Sequence, residues 1–311
     1  MQAKRSASRI GSAEWKRLRY ALPDRTVSLD RSVLGPNTVT WRVNREAVLL
    51  AGGGCALLMQ LAHPLVAAGV AEHSRYREDP LGRLNRTLEL TLTIAFGTAK
   101  EAVESVRQIE RRHASVKGRL AEPVGRFAAG TPYRANDPQL LFWVHATLID
   151  TALRVYEMFV EPLSEKDKDQ YYDESKVVAR LFGIPDSIIP PPRRAFERYL
   201  QHMFLSDQLA VGRQARDIAE SLLAPEHPFP LRMAGPPLRL VTVGLLPEPI
   251  RARYGYLWLP WQEHLFRAGV LATAVALPWL PAVVRYFPQA RRGWAREALH
   301  EPAAEPQAGA S

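Results

Sequence analysis

The chain has 311 residues, 47% hydrophobic and 23% charged, and carries a formal net charge of +9. That balance excludes chain-long disorder, collagen-like repetition and low complexity. A single cysteine, Cys55, excludes a disulfide framework, a four-cysteine zinc site and a thiolate-held iron–sulfur cluster within one chain. Metal chemistry must therefore rest on His, Asp, Glu or an imported cofactor.

The positive charge is concentrated at the start. Residues 1–45 hold ten Lys/Arg and three acids, leaving the remaining 266 residues with a surplus of about two. We read residues 1–40 as a solvated basic arm, with attraction to an anionic membrane surface as the sharper alternative. Nucleic acid is not an expected partner, because the body is near neutral and no recognition motif accompanies the arm. The arm reaches no apolar stretch within its first 30 residues, so no secretory signal is read and a cytoplasmic protein, peripheral to a membrane at most, is the expectation.

Residues 47–71 contain no Asp, Glu, Lys or Arg over 25 residues, long enough to cross a bilayer. They also hold Gly52-Gly53-Gly54, Gln60, His63 and Pro64, which favours buried core helices. Next, Leu84, Leu88, Leu92 and Ala95 mark a helix that stops at Gly97. Thr98 and Glu101 read as a capping box for the following helix, whose apolar stripe is Val106, Ile109, His113 and Val116, closed by Gly118. Asp137-Pro138 opens a helix carrying Leu141, Val144, Leu148, Ala152, Val155 and Phe159. Another runs from Ser164 to Gly183, and 195–223 reads as helical again. Residues 225–260 read as proline-rich loop with short helices, Leu238–Val243 as the best strand. Residues 268–284 are uncharged but broken by Pro278 and Pro281, which suits a peripheral membrane contact; 302–311 read as disordered tail. The fold class expected is all-α, a single domain over 41–292 with more helices than a four-helix bundle, followed by a tail over 293–311.

The chain shows no Walker loop, HExxH or GxSxG, and its triple glycine lacks dinucleotide-binding spacing. Cys55, inside an apolar run, is a poor nucleophile. His113 lies on an apolar stripe, where an imidazole must be hydrogen-bonded or ligated; a satisfied core histidine and a ligand both fit. His145 shares a stripe with Leu141 and Leu148, and His63 precedes a proline where a helix should break. Arg83, Arg86 and Thr87 share one helical face, either solvated or facing a cofactor anion. Two Glu-x-x-His runs, Glu110–His113 and Glu297–His300, raise a non-haem di-iron oxygenase as an alternative.

An ordered series of motifs resembles the MpaB-like and rubber-oxygenase (latex-clearing protein) family: Leu61-Ala62-His63-Pro64 with Glu72-His73-Ser74; Asp79 to Thr87; Arg112 to Gly118; Tyr133 to Pro138; Trp143 to Leu148 with Asp150; and Leu246-Pro247 with Arg253-Tyr254-Gly255. The resemblance spans about residue 40 to 292. It implies an all-helical oxygenase that binds haem b and cleaves isoprenoid double bonds with dioxygen. It makes His113 the proximal iron ligand and sets Arg83, Arg86 and Thr87 where the rubber oxygenases have arginine, lysine and threonine. His63 and His145 fall to the cofactor surroundings, and Glu72 is the nearest candidate for the catalytic glutamate. Arg86 departs from the family: a lysine amine can coordinate iron, whereas a guanidinium stays charged and offers no lone pair. The expectation is a haem-dependent oxygenase acting on an apolar, isoprenoid or lipid-like small molecule, with a non-catalytic helical lipid-binding module as the alternative of another class.

Overall fold

The computed structural model describes residues 11–22, 28–73, 80–224 and 229–299. The first ten residues, His300 and the expected tail over 302–311 lie outside the described residues, as do the side chains of 80–85, Arg83 included.

The chain begins with α1 (Ser12–Ala21) and α2 (Val39–Asn44), then a 3-10 segment over Ala47–Gly52 that leads into α3 (Gly53–Leu61) and α4 (Pro64–His73). Next come α5 (Pro80–Phe96) and α6 (Ala99–Ser115), and the one small sheet of the described residues, β1 (Lys117–Arg119) antiparallel to β2 (Pro132–Arg134). The rest is helical: α7 (Pro138–Phe159), α8 (Glu165–Leu181), α9 (Arg193–Leu205), α10 (Arg213–Leu223), α11 (Phe229–Leu245), α12 (Glu248–Tyr254), α13 (Pro260–Ala276), a 3-10 turn over Leu277–Trp279, α14 (Ala282–Arg285) and α15 (Pro288–Ala298). The fold is all-α, as the periodicity predicts.

Local chemistry sets most boundaries. Thr98 Oγ1 accepts from Glu101 N at 3.2 Å while Glu101 Oε2 accepts from Thr98 N at 2.8 Å, which closes the capping box of α6. Asp137 and Ser164 cap α7 and α8 by accepting from Gln139 N and Asp167 N. Gly183, at φ +72°, takes the left-handed conformation that ends the α8 segment before Pro185.

The uncharged stretch 47–71 is buried core rather than a span. α3 and α4 meet at a 108° bend at His63-Pro64, and no single helix among the described residues is long and apolar enough to cross a membrane. Its glycines are packing devices. A Cβ at Gly52 would sit 2.8 Å from Val155 Cγ2 of α7, and one at Gly54 would run into Thr242 Oγ1 of α11. Gly53, between them, faces open space.

Four readings need correction. α7 is buried nearly all round, so its core face is Leu140, Phe142, Trp143, Ala146 and Ile149, and Leu148 of the expected stripe is exposed. Leu238–Val243 is helical, lying inside α11, which also contains Pro236 and Pro237. There Thr242 and Val243 are fully buried and Leu238, Leu240 and Val241 pack on the core, and burial on several faces mimics strand alternation. The span 195–223 divides into α9 and α10, because the Ala210 amide donates to the Ala62 carbonyl at the α3–α4 bend (2.8 Å). Finally, the domain edges move outward. α1 is docked through buried Leu18 and Ala21, and Arg17 donates to Glu110 of α6 at 2.7 Å. α15 runs past 292, and its Glu297 accepts from the Ser32 amide and hydroxyl at 2.7 and 2.8 Å.

Adding one methyl group separates the three glycines. Gly54→Ala should lower unfolding free energy by about 1–3 kcal/mol through overpacking against Thr242, with Thr242→Ala in the same chain recovering part of it. Gly53→Ala should be neutral or stabilising by about 1 kcal/mol. Urea titration followed by circular dichroism distinguishes the two.

Candidate active site around His113

α5 and α6 form a helical hairpin turning at Gly97-Thr98. Residues equidistant from that turn stand side by side, so by backbone register Arg83 is level with Arg112 and His113, and Arg86 and Thr87 lie about one turn, roughly 5 Å, nearer the turn. The N-terminal half of α5 thus runs beside the C-terminal turn of α6. The Leu88, Leu92 and Ala95 face of α5 packs with Trp41, Phe96 and Phe287. At the described positions of the cationic face, Arg86 and Thr87 are exposed.

The α6 stripe is deepest at Ala102, Val103 and Val106 and rises out of the core through Ile109, His113 and Val116. His113 is therefore half-buried. Its Nδ1 is shut from solvent, and Asn136 is the side chain nearest to serving the ring. Burial lowers the pKa of the ring, against the opposing influence of Asn136 and Glu110, so the ring is neutral at neutral pH. Asn136 Nδ2 donates to the Glu110 carbonyl at 3.2 Å, which fastens the strand exit to the same turn of α6.

The hairpin β1–β2 leads the chain back over α4. Val116 lies against Gly69, and Gly118 leaves room for the Tyr133 ring. Tyr133, only 3% exposed, donates its hydroxyl to Glu72 Oε2, with His73 Nε2 at 3.3 Å. Burial first, then the bond to Glu72, raises the Tyr133 pKa, so the phenol keeps its proton at neutral pH. Glu72 is thus held by a buried donor that reading from sequence left without a role. Tyr133 is the buried central residue of a three-residue strand with exposed neighbours on both sides, a pattern too short to read from sequence.

The other two histidines have structural partners. His63, 5% exposed at the α3–α4 bend, accepts from Leu65 N through Nδ1 at 3.3 Å, and its ring lies 5.4 Å from that of Phe127. His145 faces α8, where its Nε2 lies 3.0 Å from the Ser175 carbonyl and donates to it. Desolvation pulls both rings down to about 4. α4, about 15 Å long, separates His63 from Glu72 at its far end. Cys55 is buried and pushed up to about 12 by desolvation, which removes thiolate chemistry at neutral pH.

The glutamates of the two Glu-x-x-His runs are not brought together. Glu297 is taken by Ser32 and Arg31 beside the α5–α6 turn, whereas Glu110 pairs with Arg17 about 18 Å along α6 from Thr98. Among the described residues, no three His, Cys, Asp or Glu side chains stand together as a metal-binding group.

His63 and His145 bind a proton in the unfolded chain near pH 6.5 but not in the folded one until about pH 4. Stability should therefore be complete above pH 6.5 and fall as pH drops toward 4, by on the order of 2–3 kcal/mol for each ring. Denaturant midpoints at pH 7 and pH 5 measure this, and His145→Gln should flatten the slope.

The comparisons with known proteins bear on this site. Two uncharacterized mycobacterial proteins, Rv2237 of Mycobacterium tuberculosis and Mb2261 of Mycobacterium bovis, are each 26% identical over 235 residues, covering 74% of this chain and 84% of theirs. No solved structure matches significantly. The family model described as "ER-bound oxygenase mpaB/B'/Rubber oxygenase, catalytic domain" matches residues 41–277, which include α2 to α13, His113 and the Glu72–Tyr133 pair; the chain belongs to that oxygenase family.

Proposed function

We propose that the protein is a haem b-dependent oxygenase acting on an apolar, isoprenoid or lipid-like substrate with dioxygen. The observation that carries the reading is a half-buried, neutral His113 where the α6 stripe leaves the core, beside the cationic face of α5 and inside the span of the oxygenase family match. A neutral imidazole is the ligand form. The residues present therefore fit the group: His113 would hold the iron, and Arg83 and Arg86 supply cations on the helix beside it for the propionates. Bound haem supplies the dioxygen chemistry that no protein side chain offers.

The chain's own groups have distinct tasks. Arg86 stands where the rubber oxygenases carry lysine; it keeps its charge and acts as a donor, never as a ligand. Thr87 adds a hydroxyl one residue on. Tyr133 fixes the Glu72 carboxylate and retains its proton at neutral pH, so Glu72 is presented as an oriented acceptor for a substrate proton. His63 and His145 support the frame: one holds the bend that aims α4 at the hairpin, the other ties α7 to α8.

Protein purified with haem in excess should show a Soret band, and His113→Ala should abolish or shift it. A colourless protein under those conditions overturns the reading; iron without porphyrin would return the non-haem alternative. Tyr133→Phe should leave the Soret band in place and lower turnover roughly 10- to 100-fold by freeing Glu72.

A further inference from the structure

The haem reading leaves unused an exposed apolar surface over α13 and α14. Of the 17 uncharged residues 268–284, 13 are exposed. Leu271, Val275 and Trp279 are 66%, 62% and 84% exposed. Single exposed apolar residues are ordinary, but a contiguous set of this kind marks a contact with something apolar.

The set is ordered. On α13, Trp261, Leu265, Ala268, Ala272 and Val275 recur at spacings of 4, 3, 4 and 3 and all face outward. Phe266, Val270 and Thr273 turn inward on the opposite side, toward α11 and α7. The helix is thus apolar on both faces although only one is covered, and the uncovered stripe runs for about 21 Å. Past its end, Trp279, Leu280, Val283 and Val284 continue the surface through the 3-10 turn and α14.

Charge identifies the occupant. From Glu263 to Glu297 the chain holds five arginines and two glutamates, a local charge of +3. Arg285 is bound by Glu46, and Arg296 donates to Ser32 and the Phe96 carbonyl. Arg267 is exposed on α13 itself, where it reaches Glu263, and Arg292 is exposed on α15. An apolar stripe edged by arginine, with a tryptophan at each end of α13, matches the boundary of an anionic bilayer, where acyl chains take the stripe, indoles sit at headgroup depth and cations meet phosphates. A second copy of the chain is the poorer match, because a two-fold contact would set the same cationic rim against itself.

We propose that α13, the turn at Trp279 and α14 seat this protein in the plane of an anionic lipid bilayer, lying in the interface rather than crossing it. Such seating would also bring the protein to lipid-soluble substrates, but it stands apart from the haem reading, since lipid binding is measured without turnover.

The full chain should co-sediment with vesicles of phosphatidylcholine containing about 30% phosphatidylglycerol, less with phosphatidylcholine alone, and less as salt rises. Leu271→Glu and Trp279→Glu should each lower vesicle affinity roughly tenfold. Both positions are exposed, so the thermal midpoint and helical signal should not change; Leu148→Glu, exposed on α7, serves as a control that keeps lipid binding. Quenching of tryptophan fluorescence by brominated lipid should weaken in Trp279→Ala. Failure to bind either vesicle, unchanged binding by both glutamate variants, or a dimer in sedimentation that Leu271→Glu dissociates would each overturn the proposal.

Discussion

The bend at His63-Pro64 is the constraint on which the rest of the structure depends. A 25-residue uncharged run must stay buried, yet it is folded back on itself by 108°. Backbone bonds of the bend serve part of it: the Ala62 and His63 amides donate to the Leu58 and Gln60 carbonyls. Distant parts of the chain add to them. Tyr254 donates to the Leu58 carbonyl at 2.8 Å, Trp143 reaches that of Gln60 at 3.4 Å, and the Ala210 amide donates to that of Ala62 at 2.8 Å. Satisfying one bend thus fixes α12, α7 and the α9–α10 connection together. The redirected α4 delivers Glu72 to Tyr133.

Charge follows the same logic. The local surplus in residues 1–45 reads as a solvated arm because sequence shows only neighbours. In the fold its arginines find acids far along the chain: Arg17 meets Glu110, Arg31 meets Glu297, and Arg42 meets Asp167. Buried carboxylates serve the backbone as well. Glu174 accepts from Val39 N and Thr40 N at the start of α2, which joins that helix to α8. Glu46 takes Arg285, bringing α14 against the 3-10 segment. Exposed pairs add little stability, but buried carboxylates with several donors specify which segments may pair.

What sequence could show followed from the range of the interaction. Caps and stops are local, so Thr98 with Glu101, Asp137, Ser164 and Gly183 were readable within four residues. One-faced burial was readable on α6. Burial on many faces was not: it hid the core face of α7 and gave Leu238–Val243 the look of a strand. Gly52 and Gly54 were recognisable as unlike a phosphate loop, but their task, admitting Thr151 and Val155 of α7 and Thr242 of α11, appears only when those helices are brought alongside. At the site, the stripe and the motif order singled out His113. The hold of Tyr133 on Glu72 spans 61 residues and carries no periodic signal.

Three histidines, one buried and two partly buried, differ by what meets their nitrogens. At His63 an amide two residues on gives Nδ1 a donor; at His145 a carbonyl of another helix receives Nε2–H. Both rings are consumed by the frame. At His113 the helix surfaces just before its end, and Asn136, which donates to the Glu110 carbonyl, stands beside the ring. His113 thus differs from the other two in place: it stands where the α6 stripe leaves the core, beside the cationic face of α5, and is not committed to holding the frame.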